Sequence, residues 1–141
     1  MFGSPLPVRA LAGAVQYLGI LHTTAQSIAG TVMIPAGWAT VNVSMVSAKL
    51  SAVSGDVVVR ADVDVAVSGF VLGSATIGPL ATRTASATVN AVRVDIVRSG
   101  VAVTQGALTA ISISRLGLDV GDTLDSTIAV LGLIITPVTY V

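Results

Sequence analysis

The sequence predicts an all-β protein, an antiparallel β-sandwich of about eight strands with an N-terminal arm. Three observations carry this. From Ile28 onward the apolar residues recur mostly at every second position, the period of a strand with one face buried. The periodic stretches are separated by Gly, Pro, Ser and Asp clusters that favour turns. The composition is dominated by Val, Ala, Ser, Thr, Gly, Leu and Ile, with 53% hydrophobic and only 10% charged residues. Such a chain builds sheets readily and has few ionisable groups to leave in water.

Residues 1–25 are apolar and lack clear alternation, so they read as an arm or docking segment that contacts a neighbouring subunit, with the sandwich spanning 26–141. Within that segment Val15 to His22 fits a ninth strand and one helical stretch about equally well. Ile28 to Ile34 and Trp38 to Val46 are β-rich runs split by Pro35-Ala36-Gly37, and they read as a hairpin. In the second run Val41, Val43 and Met45 alternate with Thr40, Asn42 and Ser44. Val57 to Val67 is the clearest strand, with Val57, Val59, Ala61, Val63, Val65 and Val67 on one face and Arg60, Asp62 and Asp64 on the other.

Phe70 to Ala87 is broken by Gly73, Gly78 and Pro79 and reads as a long connection with a short strand at Phe70 to Leu72. Thr88 to Arg98 sets Val92, Val94 and Ile96 opposite Arg93, Asp95 and Val97. Ser99-Gly100 reads as a turn before a short strand at Val101 to Val103. Leu108 to Ser114 alternates again, Leu116 to Asp125 is a polar loop, and Thr127 to Tyr140 is apolar enough for a strand covered on both faces. Pro137 places the end of that strand at an edge or bulge. A jelly roll is the economical way to wind these strands into two sheets.

Composition also bounds function. A chain of 141 residues is one domain and buries a sizeable core. The formal net charge is zero and the mean hydropathy is +0.92. Neutral, apolar-rich chains lack the self-repulsion that keeps monomers apart, so assembly with other subunits is expected. No stretch of about 18 residues is free of polar interruption, as a spanning helix requires. Five aromatic residues are too few for the girdles of a membrane barrel. Leu6 to Leu21 is the one candidate leader, with a single basic residue and a poor cleavage site at Thr24-Ala25-Gln26, and is expected not to be one. The absence of cysteine suits synthesis in a reducing cytoplasm.

The chain has few residues with which to do chemistry. With no glutamate, no cysteine and one histidine, His22, it cannot assemble cysteine-based, glutamate-based or multi-histidine zinc sites. No phosphate-binding glycine loop and no serine elbow occur. Asp119, Asp122 and Asp125 are spaced so that three carboxylates can share a Ca²⁺, but the stronger reading is that each bonds its own turn backbone, with Gly121 supporting a tight turn, and the spacing is not that of an EF-hand. Asp62 and Asp64 beside Arg60 read as a solvated or intersubunit face rather than an acid–base pair. Trp38 or Tyr17 can serve as a platform for sugar stacking, against the ordinary reading of a core or rim aromatic. Asn42-Val43-Ser44 matches a glycosylation sequon. Six arginines without a cluster and zero net charge argue against nucleic-acid binding. No catalytic residue and no cofactor is expected.

The stretch from Arg115 to Leu124 (R-L-G-L-D-V-G-D-T-L), followed by the apolar run to Tyr140, resembles the closing strands of small jelly-roll proteins of tailed-bacteriophage virions. Ile34-Pro35-Ala36-Gly37 followed by Thr40 to Val43 is similar to a hairpin common in such modules. The family includes capsid decoration proteins, head fibres and tail-fibre tips, and many of its members are trimeric. The resemblance implies a virion protein, made in the host cytoplasm, that binds the major capsid protein and itself. The scarcity of aromatics departs from a receptor-binding tip and points to a capsid decoration role. The alternatives are a head-fibre or tail component, or a carbohydrate- or host-binding sandwich.

Overall fold

The structure, a computed structural model, describes residues 8–12, 15–20, 25–66 and 77–141, with side chains described over 27–65 and 77–141. Nine strands run along them: β1 (Val8–Ala12), β2 (Val15–Ile20), β3 (Ala25–Met33), β4 (Trp38–Lys49), β5 (Asp56–Ala66), β6 (Leu80–Thr84), β7 (Val92–Ala102), β8 (Leu108–Leu116) and β9 (Ile128–Tyr140). No helix occurs among the described residues. The strands form a five-stranded sheet, in the order β1-β2-β9-β4-β7, and a four-stranded sheet, in the order β3-β8-β5-β6.

All pairings are antiparallel, and they nest. β2 pairs with β9, β3 with β8, β4 with β7 and β5 with β6. The chain is thus one long hairpin wound on itself, and the β4–β9 and β5–β8 pairings close the two sheets. That is the winding of a jelly roll. β1 adds to β2 at the sheet's outer edge. Both strands lie inside the segment expected to be an arm, and they extend the sandwich's own sheet. The Val15 to His22 ambiguity resolves as a strand, with His22 itself outside the described residues.

The core lies between the sheets and is mostly valine. Val41, Val43 and Met45 of β4 meet Val57, Val59, Ala61 and Val63 of β5, with Val97, Ile111, Ile113, Ile128 and Val130 around them. Short β-branched side chains fit this slot because each strand turns every second residue inward and the branched Cβ packs well on a pleated surface. Leu124, from the loop before β9, closes one end and is fully buried.

Four local expectations change. β3 and β4 are not a hairpin, since β3 pairs with β8 while β4 pairs with β7 and β9. Pro35 to Gly37 is a corner that carries the chain from one sheet to the other. Gly37 has φ 89, which favours glycine, and its N–H donates to Gln105 Oε1 at 2.8 Å. The Phe70 to Ala87 connection contains β6, while the short strand expected at Phe70 to Leu72 lies outside the described residues. Ser99-Gly100 does not end a strand. β7 runs through it to Ala102 with a register shift opposite Asn42, whose Oδ1 accepts the Gly100 N–H at 3.0 Å. Finally, β9 is not covered on both faces, because Ile134, Val138 and Tyr140 are exposed. Pro137 does lie where the β4–β9 register shifts.

Candidate functional site

The three aspartates suited to sharing a cation are separated by the local fold. Asp119 Oδ1 accepts the N–H of Gly121 at 2.8 Å, the self-bonded turn of the simpler reading. Asp125 is exposed. Asp122 does something the sequence does not announce. Its side chain and that of Arg115 are both fully buried and paired, with Arg115 Nε donating to Oδ2 at 2.9 Å and Nη2 to Oδ1 at 2.6 Å. The same guanidinium donates to the carbonyls of Leu124 at 2.6 Å and Ser126 at 2.5 Å. Asp122 Oδ2 also accepts the backbone N–H of Val58 at 3.1 Å. A bidentate pair whose remaining donors and lone pairs are used can tolerate removal from water. The clasp ties the loop before β9 onto β5 and β8. Thr123 and Leu124 complete the seam by donating their N–H groups to the Asp56 carbonyl at 2.9 and 3.0 Å. Among the described residues no group of three His or Asp side chains comes together as a metal site.

On the outer face of the four-stranded sheet Arg60 pairs with Asp62, Nε to Oδ1, at 3.0 Å. Asp62 Oδ1 also accepts the Gly78 N–H at 2.8 Å, and Asp64 follows on the same face. Asp62 is thus a brace between β5 and the segment entering β6. An added Cβ at Gly78 would lie 2.1 Å from the Ala61 carbonyl, so only glycine permits this approach. The sequon falls in the middle of a paired strand, with Val43 and Ser44 buried and the Asn42 amide engaged. It is a structural segment.

One lateral side of the sandwich is stitched by arginines. From β6, Arg83 donates through Nε (3.1 Å) and Nη2 to the Ile96 carbonyl of β7. From β7, Arg93 Nη1 donates back to the Thr84 carbonyl at 2.6 Å and Nη2 pairs with Asp95 at 3.0 Å. Arg98 Nη1 reaches the Ala61 carbonyl of β5 at 3.1 Å. Lys49, 3% exposed, lies with Arg83, Arg93 and Asp95 around a pocket of only ≈ 20 Å³. Sequence reasoning missed this seam. Period-two patterning normally turns the apolar side of a strand inward, whereas here Arg93 and Asp95 share the inward side with buried Val97. Val92, Val94 and Ile96 face outward, at 56%, 57% and 46% exposure. Inward-pointing charge on an edge strand is a recognised way to protect that edge, and Arg–Val alternation in β7 is the signal for it.

The opposite side is open. A cleft of ≈ 510 Å³ runs between β3 and β9. Trp38 lines it with Ile28, Val32, Leu133 and Ile135, which also pack against the core. Trp38 is therefore a rim aromatic of the core. Among the described residues its surroundings offer one hydroxyl side chain, Thr31, and no amide or carboxylate, a poor match for a sugar. The Tyr17 side chain lies outside the described residues. A search against models of known protein families, and another against curated proteins, finds no match.

Proposed function

We propose that this chain is a structural protein of a virion, a capsid decoration protein that docks on the major capsid lattice and on copies of itself. The observation that carries the reading is the outer face of β4, β7 and β9. Val92, Val94 and Ile96 line up on β7. In register beside them lie Ala48, Val46 and Ser44 of β4, and Gly132 and Ile134 follow on β9. Val92, Val94, Ile96, Ile134 and Val138 are all exposed, and no charged side chain interrupts them on these three strands. An uncharged apolar sheet face of this kind is uncommon on a free monomer and marks a protein contact. Burying it yields about 25 cal/mol per Å² before association costs. The jelly-roll winding and zero net charge agree with the family the sequence resembles, and catalysis plays no part in the reading.

Mass spectrometry of purified particles from the source culture tests it. The chain is expected at a copy number matching the capsid lattice. Val94→Asp should keep the β-rich circular dichroism of the parent and lose incorporation. Light scattering should show self-association, trimers being the expected form. A chain absent from particles, or a Val94→Asp variant incorporated as well as the parent, overturns the proposal.

A further inference from the structure

The cleft between β3 and β9 has walls of an unusual kind. Residues 28–35 line it consecutively, not alternately, so the main-chain edge of β3 is itself one wall. Among the described residues β3 is the outer strand of its sheet and pairs only with β8. On the other side, Gly132 and Leu133 are again consecutive lining residues. β9 pairs with β2 only through Ile128, Ala129 and Val130, so from Leu131 onward its second edge carries no pairing among the described residues. The cleft is bounded by two strand edges that carry no ladder pairing among the described residues, above an apolar floor of Trp38, Leu133 and Ile135. Gly30 lies beside core Ile111 on the cleft side of β3, and a Cβ added there would meet nothing within 4 Å, so the space next to this edge is open.

A ligand that satisfies both features must offer main-chain donors and acceptors at strand spacing and apolar groups at every second position. A polypeptide in extended conformation does this, and a sugar or a fatty chain does one or neither. The lining carries no charged side chain, so a charged occupant would be desolvated without compensation. The contrast with the β6–β7 side adds to this, because there the edge carbonyls are already taken by arginines. We propose that the β3–β9 cleft is an acceptor site for an extended, uncharged segment of a partner protein, which adds to the β3 edge as an extra strand and lays alternate apolar side chains on Trp38, Leu133 and Ile135. The site goes beyond the capsid reading, and it uses a different surface from the outer face of β4, β7 and β9.

Trp38 is the only tryptophan, so its fluorescence reports on the cleft. The probe is a blocked peptide of alternating valine and threonine, about six residues long to match the β3 edge. Titrating it into the full chain should shift Trp38 emission to shorter wavelength in a saturable way. The same peptide N-methylated at every second residue has lost the donors along one edge and should bind at least about tenfold more weakly. Gly30→Glu places a charge in the open space of the cleft and should keep the parent's circular dichroism while abolishing the shift. Val94→Asp, which disables the docking face, should bind the peptide normally. No shift with the peptide overturns the proposal. So does equal binding of the methylated form, or binding that survives Gly30→Glu. A response to decanol and not to the peptide reassigns the cleft to small apolar molecules and overturns it as well.

Discussion

Where β6 faces β7, arginine side chains cross from each sheet to carbonyls on the other. On the far side, along β3 and β9, no described side chain does so, and the gap is apolar and wide enough to hold more chain. One winding thus has two unlike flanks. The stitched flank uses donors that cannot be deprotonated to quench edge carbonyls, which protects β7 from unintended pairing. The open flank leaves comparable edges unpaired over a hydrophobic floor. A strand edge therefore becomes a binding surface or a sealed seam according to the side chains beside it, with the backbone geometry the same in both.

Breaking the buried Arg115–Asp122 clasp, which belongs to neither flank, should have the largest effect. Arg115→Met strands the buried Asp122 carboxylate, and Asp122→Asn leaves the guanidinium without its counter-charge. Each is expected to cost roughly 3–5 kcal/mol, read from urea unfolding. Asp119→Asn and Asp125→Asn should stay within about 1 kcal/mol. Equal effects at all three aspartates would mean that the clasp does not carry the loop.

Apolar truncation compares the sealed core with the open cleft directly. Ile113→Ala, at a fully buried position, should cost about 2–5 kcal/mol, whereas Leu133→Ala, half-buried at the cleft floor, should cost about 1 kcal/mol. If the two costs converge, the cleft is as tightly packed as the core and is not open. The smallest effect should come from the stitched rim. Arg83→Ala removes partly exposed bonds and should lower stability by about 1 kcal/mol in thermal unfolding. A larger loss would place more of the sandwich's closure in that seam than its exposure implies.

Most strands were legible because β-branched residues at period two have few other uses. β6 was not, since Leu80-Ala81-Thr82-Arg83-Thr84 is short and small, and its strand character comes from pairing with β5. The Pro35 to Gly37 corner was read as a hairpin because local turn chemistry is the same whether the next strand returns to its neighbour or crosses to the other sheet. The nested pairing that decides this is set by contacts far apart in sequence. Asp122 and Arg115 were both visible, but an aspartate that bonds its own turn and one that clasps a buried arginine have the same local sequence signature. The cleft had no signature, since what defines it is the absence of a paired strand.

The pairing of β2 and β4 with β9 has a consequence for how the chain is made. β4 lies between β7 and β9, and β2 has only β9 to join it to the rest of its sheet. A nascent chain on the ribosome therefore carries valine-rich β4 with one edge unmatched until the thirteen-residue β9 has been synthesised. Closure of the five-stranded sheet waits on long-range pairing, which is slow compared with local contacts. Over that interval sister chains on one polysome can compete for the same edges. A chain truncated before β9 would lack the partner that both β2 and β4 await, leaving a product prone to aggregate instead of a smaller sandwich.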